Sequence, residues 1–384
     1  MTLFLRVLLL LLLAGQAWGG CFPSFPNFGR WPENCNEWWN DSSLTFWAPF
    51  NDPGAPLTLN KGTGSLSFTR ATTAMRIAID NGYLTSTPAG TLRIEANGAL
   101  IEWQRTNLAL QSEALGNATN WVATTMTVDN NTAVAPDGAT TTETLTASGN
   151  NATLLQSYTG TVAAYTASYY LKRKTGTGAV QVSADNTTWT SCTINASTWT
   201  RCTDTRTVTV ATYYHGIRLA TNTDAVYAWG GGNELGAFAS SYIGPTTTAA
   251  VTRNADVLTM SASGNMSGSV GTVSFTWTPS FASTDSVLYS TIYDAGDIKS
   301  YYWSTDRKVY FTDGTDTSTT SALTFSSSTS SKFADRWTGS SAVLGSNVYL
   351  GSSSFGTNYL FGHLKSVRTW NRYFSDSEMT SISQ

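Results

Sequence analysis

The feature that most constrains this chain is a two-residue hydrophobic alternation that recurs in short runs and never lengthens into a helical period. In the run Thr272–Thr278, Val273, Phe275 and Trp277 fall on one face, while Thr272, Ser274, Thr276 and Thr278 fall on the other. Tyr165, Ala167, Tyr169 and Leu171 repeat the pattern, as do Val180, Val182 and Ala184, then Val208 and Val210, and earlier Leu66 and Phe68. Successive side chains of a strand point to opposite faces, so these runs are half-buried strands. Asn81-Gly82, Asn97-Gly98 and Asp313-Gly314 separate them, and such dipeptides accept the positive φ of tight turns. Beyond the first 20 residues no helical period lasts three turns. One short helix is expected near the C-terminus, where Ser375 and Glu378 form a capping box and Asp376 suits the helix dipole. The expected fold is all-β: two β-sandwich (jelly-roll) domains in tandem after a short irregular N-terminal leader.

Composition supports this and removes several classes. Charged residues are 12%, about half the usual share of roughly 25%, whereas aromatics are also 12%, with 14 Trp. Disordered chains carry high charge and few aromatics. A net charge of -3 gives no electrostatic reason to bind nucleic acid or an anionic membrane.

The N-terminus reads as an address. Met1–Arg6 holds one positive side chain, Val7–Ala14 is apolar, and Ala17-Trp18-Gly19 places small residues at the positions that direct cleavage. The apolar run is short for a bilayer core of about 30 Å, so residues 1–20 are expected to be a signal peptide cut near Gly19 or Gly20, or else a retained hydrophobic anchor. Cys21 beside that cut also admits a lipoprotein, although Trp18 stands where such signals have Leu. The cysteines fall in two local pairs, Cys21 with Cys35 and Cys192 with Cys202, without the spacing of a zinc site. In an exported chain both pairs are expected to be disulfides, the second stapling a hairpin; in a reducing cytoplasm all four would remain thiols. Residues 21–104 read as a Pro- and aromatic-rich leader with short strands, residues 105–250 as a first sandwich, and residues 262–384 as a second. Pro245-Thr246-Thr247-Thr248 and the small-residue stretch Ser261–Ser269 mark the boundary.

Two stretches carry a family resemblance. Gly64–Arg70, the run Leu100-Ile101-Glu102-Trp103-Gln104-Arg105-Thr106-Asn107-Leu108 and Gln111-Ser112-Glu113 resemble a segment frequent in bacteriophage tail and virion-associated proteins. There it leads into a carbohydrate-binding-module-like jelly roll, and Asn120-Trp121, Ala135–Gly138, Thr198–Arg201, Tyr227–Gly230 and Glu234–Phe238 are similar to its landmarks. Tyr349-Leu350-Gly351, Phe361–Arg368 and Asn371–Glu378 resemble the closing strands and helix of a LamG-like, concanavalin A-like sandwich; the middle of that domain departs from the pattern. The resemblance implies a non-catalytic carbohydrate-binding adhesion protein of a phage tail fibre or virion appendage. Its expected partners are a cell-surface polysaccharide or glycan and other virion proteins, and it is compatible with a homo-oligomer. The location implied is the virion, against export through the N-terminal signal. The alternatives are a polysaccharide-degrading enzyme and a structural virion protein that binds only protein.

Chemistry sought residue by residue favours binding. The two histidines, His215 and His363, lie far apart in expected strands, so a nucleophilic triad or His-based metal centre has little to build on. Glycosidases need two facing carboxylates; Glu95 and Glu102 are seven apart and point to opposite faces of any strand. For a structural calcium, Asp294, Asp297, Asp313 and Asp316 offer oxygen ligands, though they serve equally as turn residues; in the jelly roll the resemblance suggests Asp137 and Glu234. Sugars are gripped by flat aromatic faces with polar groups at the hydroxyls. The expected residues are Tyr301, Tyr302, Trp303, Asn358 and Tyr359 in the second sandwich and Trp189 in the first. In a strand either Tyr302 or the pair Tyr301/Trp303 faces solvent, and the simplest packing puts the larger pair in the core. Trp121, Trp199 and Trp229 read as core residues.

Overall fold

A computed structural model of the chain describes residues 41–54, 57–283, 289–303, 305–325, 329–338, 342–352 and 360–383. The expected signal segment and the Cys21–Cys35 pair lie outside these residues. Thr45–Gln384 is one compact unit and Met1–Leu44 another; in the latter, Asp41 accepts hydrogen bonds from the Ser43 amide and hydroxyl.

The fold is all-β, as the alternation requires. Before the first sandwich come β1 Leu44–Ala48, β2 Ser67–Thr69, β3 Ala74–Ile77, β4 Leu84–Thr87, β5 Arg93–Glu95, β6 Gly98–Ile101 and β7 Arg105–Asn107. The first sandwich holds β8 Val122–Thr124, β9 Met126–Ala133, β10 Thr142–Ala147, β11 Ala152–Thr159, β12 Ala164–Thr175, β13 Val180–Ser183, β14 Thr190–Cys192, β15 Thr200–Thr207, β16 Thr212–Leu219 and β17 Ala225–Leu235. After it come β18 Val251–Arg253, β19 Val257–Ser261, β20 Val270–Pro279, β21 Tyr289–Gly296, β22 Ile298–Trp303, β23 Lys308–Asp313, β24 Thr317–Thr319, β25 Ser331–Thr338, β26 Leu344–Leu350 and β27 Gly362–Trp370. Helix α1, Asp376–Ser383, closes the chain. Its capping box forms as expected: the Ser375 amide donates to Glu378 Oε2 at 2.7 Å, and the Glu378 amide donates to Ser375 Oγ at 3.4 Å. Gly82, Gly98 and Gly314 of the three turn signals all take positive φ.

The first sandwich faces the sheet β15–β12–β17–β10–β9 with the sheet β14–β13–β16–β11–β8. Between them lie Trp121, Leu145, Leu154, Tyr169, Leu171, Val182 and Ile217. His215 is buried here, its Nδ1 2.7 Å from the Tyr169 hydroxyl and its ring edge-on to Trp121. Burial pushes its imidazole down to about 3, so it is neutral at physiological pH. The Cys192–Cys202 disulfide forms, with Cα atoms 5.7 Å apart. It does not staple a hairpin, however: β14 pairs with β13 and β15 with β12, so the bond ties an edge of one sheet to an edge of the other.

The second sandwich differs from the expected 262–384. Its six-stranded sheet runs β25–β20–β27–β6–β5 with β1 also on β27, and its seven-stranded sheet runs β2–β19–β26–β21–β22–β23–β24. Four strands therefore come from the stretch read as a leader, and β19 comes from the stretch read as a boundary. Phe46, Phe68, Ile94 and Ile101 share one core with Trp277, Tyr302 and Leu364. The physical reason is sheet completion: without β1, β5 and β6, strand β27 would have an open edge, and exposed edges invite mispairing. The first sandwich is thus inserted into the second.

The chain enters and leaves the insert through a two-stranded neck, β7 with β18, in which Arg105 opposes Arg253 and Asn107 opposes Val251. The Gln104–Asn107 run of the family-like segment falls here. Asn107 Nδ2 donates to the carbonyls of Gly231 and Ile243 at 3.0 and 2.8 Å, and its Oδ1 accepts from the Asn233 amide at 3.0 Å. Below the neck is a buried ionic network. Asp256 pairs with Arg70 at 2.9 Å and Arg93 at 2.5 Å, and Glu102 pairs with Arg93 and Arg253, each at 2.9 Å. Burial alone would push the Glu102 carboxyl up, but Arg253, Arg93 and the Ser241 hydrogen bonds hold it well below the usual carboxylate range. Buried pairs like these are weak sources of net stability, yet removing one partner strands the other charge.

Candidate carbohydrate-binding surface

Strand alternation decides which aromatics of β22 and β23 reach solvent. Ile298, Ser300 and Tyr302 point inward, and Lys299, Tyr301 and Trp303 outward; on β23, Val309 and Phe311 point inward, and Lys308, Tyr310 and Thr312 outward. Tyr302 is fully buried, its ring centre 5.8 Å from Trp277, 5.7 Å from Phe281 and 5.3 Å from Phe325. The simplest packing expected from sequence is therefore reversed. A tyrosine fits the gap between those three rings, whereas the pair one residue to either side lies on the solvent face.

Register then builds a platform. Tyr301 sits directly opposite Tyr310, their rings parallel within 5° and 5.3 Å apart. Trp303, 43% exposed, lies 6.4 Å from Tyr301 and 6.2 Å from Tyr310. The Trp303 indole donates to Thr305 Oγ1 at 2.8 Å, and the Tyr310 hydroxyl donates to Asp306. That hydrogen bond to the carboxylate pushes the Tyr310 phenol up. Lys308 lies 3.9 Å from the same carboxylate. Beyond Tyr310, Thr319 of the edge strand β24 stands in register. Three rings are thus held on a rigid two-strand base, bordered by a carboxylate, an ammonium group and hydroxyls, an arrangement matched to the apolar face and hydroxyl rim of a pyranose. Tyr310 was not among the residues expected from sequence, although Val309 and Phe311 facing inward require it to face out.

The other expected residues fall elsewhere. Trp189 is half-buried on the first sandwich, in the turn before β14, with the Arg218 guanidinium 4.5 Å from its ring centre and Arg218 donating to Gln181 at 2.9 Å; it lies on a different sandwich from the platform. Asn358 and Tyr359 lie outside the described residues. Trp121 and Trp229 are core residues, but Trp199 is half-buried on an outer face. The acids considered for calcium serve turns and hydroxyls. Asp294 accepts from the Gly296 amide at 2.9 Å, Asp297 from Val343 at 2.8 Å, and Asp313 from Thr315 and Asp316 at 3.0 and 2.8 Å. Asp137 accepts from Ala139 at 3.0 Å and Glu234 from the Ser240 hydroxyl at 2.6 Å. Among the described residues, no three His, Cys, Asp or Glu side chains converge as a metal cage. His363 binds Glu95 through Nε2 at 2.9 Å, and Glu102 is committed to the ionic network.

No protein family profile matches the chain, and none of the curated proteins matches it. Among solved structures, it is similar to the N-terminal CBM22-1–CBM22-2 tandem domain of Paenibacillus barcinonensis Xyn10C, at 10% identity and a TM-score of 0.26, over 73% of this chain and 94% of that one. A superposition this loose transfers neither residues nor ligand.

Proposed function

We propose that this chain is a non-catalytic carbohydrate-binding adhesion protein that grips a cell-surface glycan on Tyr301, Tyr310 and Trp303. The observation that carries this reading is the parallel Tyr301–Tyr310 pair with Trp303 beside it on the solvent face of a rigid sheet. Large aromatics on a strand surface gain nothing from the core behind them, and flat rings with polar neighbours are what a sugar requires. The phage-tail resemblance of the Leu100–Leu108 run and the LamG-like closing strands extend the proposal to a virion appendage. The apolar N-terminus supports export or anchoring instead, and N-terminal sequencing of the mature chain distinguishes the two.

The test is a glycan array probed with the full chain and its Trp303→Ala and Tyr310→Ala variants. Retention on a bacterial surface glycan is expected, with either variant weaker by about tenfold or more and with an unchanged melting temperature. Equal retention by wild type and variants removes the platform from the function. Release of reducing ends from the bound glycan replaces the binding role with a depolymerase.

A further inference from the structure

We propose a second binding site, for an acidic polysaccharide, on the outer face of the sheet β15–β12–β17–β10–β9, where Lys172 and Lys174 meet the carboxylates and Trp199 and Tyr227 meet the sugar rings. It shares no residue with the Tyr301–Tyr310–Trp303 platform and stands whether or not that platform binds sugar. Alternation along β12 sends Ala167, Tyr169 and Leu171 into the core and leaves Tyr170, Lys172 and Lys174 on the outer face. The hairpin β3–β4 closes one half of that face, Leu84 and Met75 packing on Trp229, Tyr242 and Tyr170. Trp199 borders that cluster and is half-buried against it, and beyond it Lys172 and Tyr227 are half-buried and Lys174 is exposed. Lys172 Nζ lies 4.9 Å from the ring centre of Trp199 and 5.4 Å from that of Tyr227, and Lys174 Nζ lies 5.4 Å from Tyr227. The result is a row of ring, cation, ring, cation, with Lys174 also donating to Thr144 Oγ1 at 3.3 Å.

The charges of this row stay available. The arginines around it are neutralised within the fold: Arg173 by Asp224 at 3.1 Å, Arg201 by Glu234 at 3.8 Å and Arg206 by Asp204 at 2.8 Å. Neither lysine has an ion-pair partner among the described residues. The carboxylate in register with the row is Asp129 of the edge strand β9, exposed, opposite Thr144 and two strands beyond Tyr227; two cations against it leave the face positive. Aromatic contact fixes where each ammonium sits and leaves its hydrogens to donate. A tightly bound nucleic acid draws on about six to ten phosphate contacts, more than two lysines supply. A carboxylated sugar polymer needs one cation and one ring per recognised residue, and the row offers two of each.

Full-length protein is titrated with polygalacturonate, with its methyl ester, with a dT20 oligonucleotide and with phosphatidylglycerol vesicles, at low and high salt. Polygalacturonate is expected to bind with an affinity that falls as salt rises. The methyl ester and the Lys172→Gln/Lys174→Gln double variant are expected to bind at least about tenfold more weakly, with an unchanged melting temperature. The Lys172→Arg/Lys174→Arg variant is expected to retain binding, and so is Trp303→Ala, which separates this site from the platform. No binding of polygalacturonate, or equal binding by the Gln double variant, overturns the proposal. Oligonucleotide or vesicles bound as tightly through the same lysines overturns it too, by assigning the face to another polyanion.

Discussion

The two sandwiches reach similar architectures by opposite routes. The inserted jelly roll is built from one unbroken stretch, β8 to β17, and its two sheets are further tied by the Cys192–Cys202 bond. The host sandwich joins strands from residues 44–101 to strands from residues 257–370, so its sheets close only after the whole insert has been threaded between them. Proximity in sequence makes the insert self-sufficient, whereas the host depends on pairings whose loop-closure cost falls on distant segments.

The largest test of this contrast is fragmentation. Residues 105–250 alone are expected to give a cooperative thermal transition, and residues 262–384 alone are expected to be unfolded by circular dichroism and proton NMR. Without β1, β2, β5 and β6 the fragment leaves Trp277, Leu364 and Leu350 without their cover. A folded 262–384 fragment would remove the dependence inferred for the host. Next in size is Asp256→Asn, which leaves Arg70 and Arg93 buried beside a neutral group. The cost should be about 3–5 kcal/mol, seen in calorimetry as a lowered host transition with the insert's transition little changed; a loss below about 1 kcal/mol would show that the network is relaxed by water. The smallest effect concerns the insert. Glu143 is buried in its sandwich, and burial pushes the carboxyl from its ordinary 4.5 up to about 8. Between those values the folded chain holds a proton that the unfolded chain releases, so this group's contribution is intact below pH 4.5 and is lost as pH rises toward 8. Glu143→Gln should therefore raise the insert's melting temperature by roughly 5 °C at pH 8 and leave it unchanged at pH 4. An equal shift at both pH values would mean that packing rather than ionisation is responsible.

What could be read from sequence follows the same divide. The alternation of Tyr165–Leu171 and Val180–Ala184 lay within one continuous domain, and its strands appear where expected. The capping box at Ser375 and Glu378 was equally legible, because a helix terminus is specified within four residues. Strands β2 and β6 were not, since three or four residues carry almost no period and they pair with β19 and β27, more than 180 positions away; β5 joins the sheet only through β6. At the candidate site, alternation showed that either Tyr302 or its neighbours must be exposed, but choosing between them needed the shape of the gap between Trp277, Phe281 and Phe325. Tyr310 could have been found by extending the alternation one hairpin further. Lys172 and Tyr227 could not, because their contact depends on the register of β12 with β17.

The neck carries a consequence for how such a chain can change. β7 and β18 are paired neighbours, so the insert's two ends meet at about one strand spacing, near 5 Å. The host therefore offers a socket for modules whose termini lie that close, on condition that Phe238, which packs in the host core, and Ser241, which bonds Glu102 and Arg253, are kept or replaced in kind. The inserted module can thus be exchanged as a cassette while the host face that carries Tyr301, Tyr310 and Trp303 is inherited.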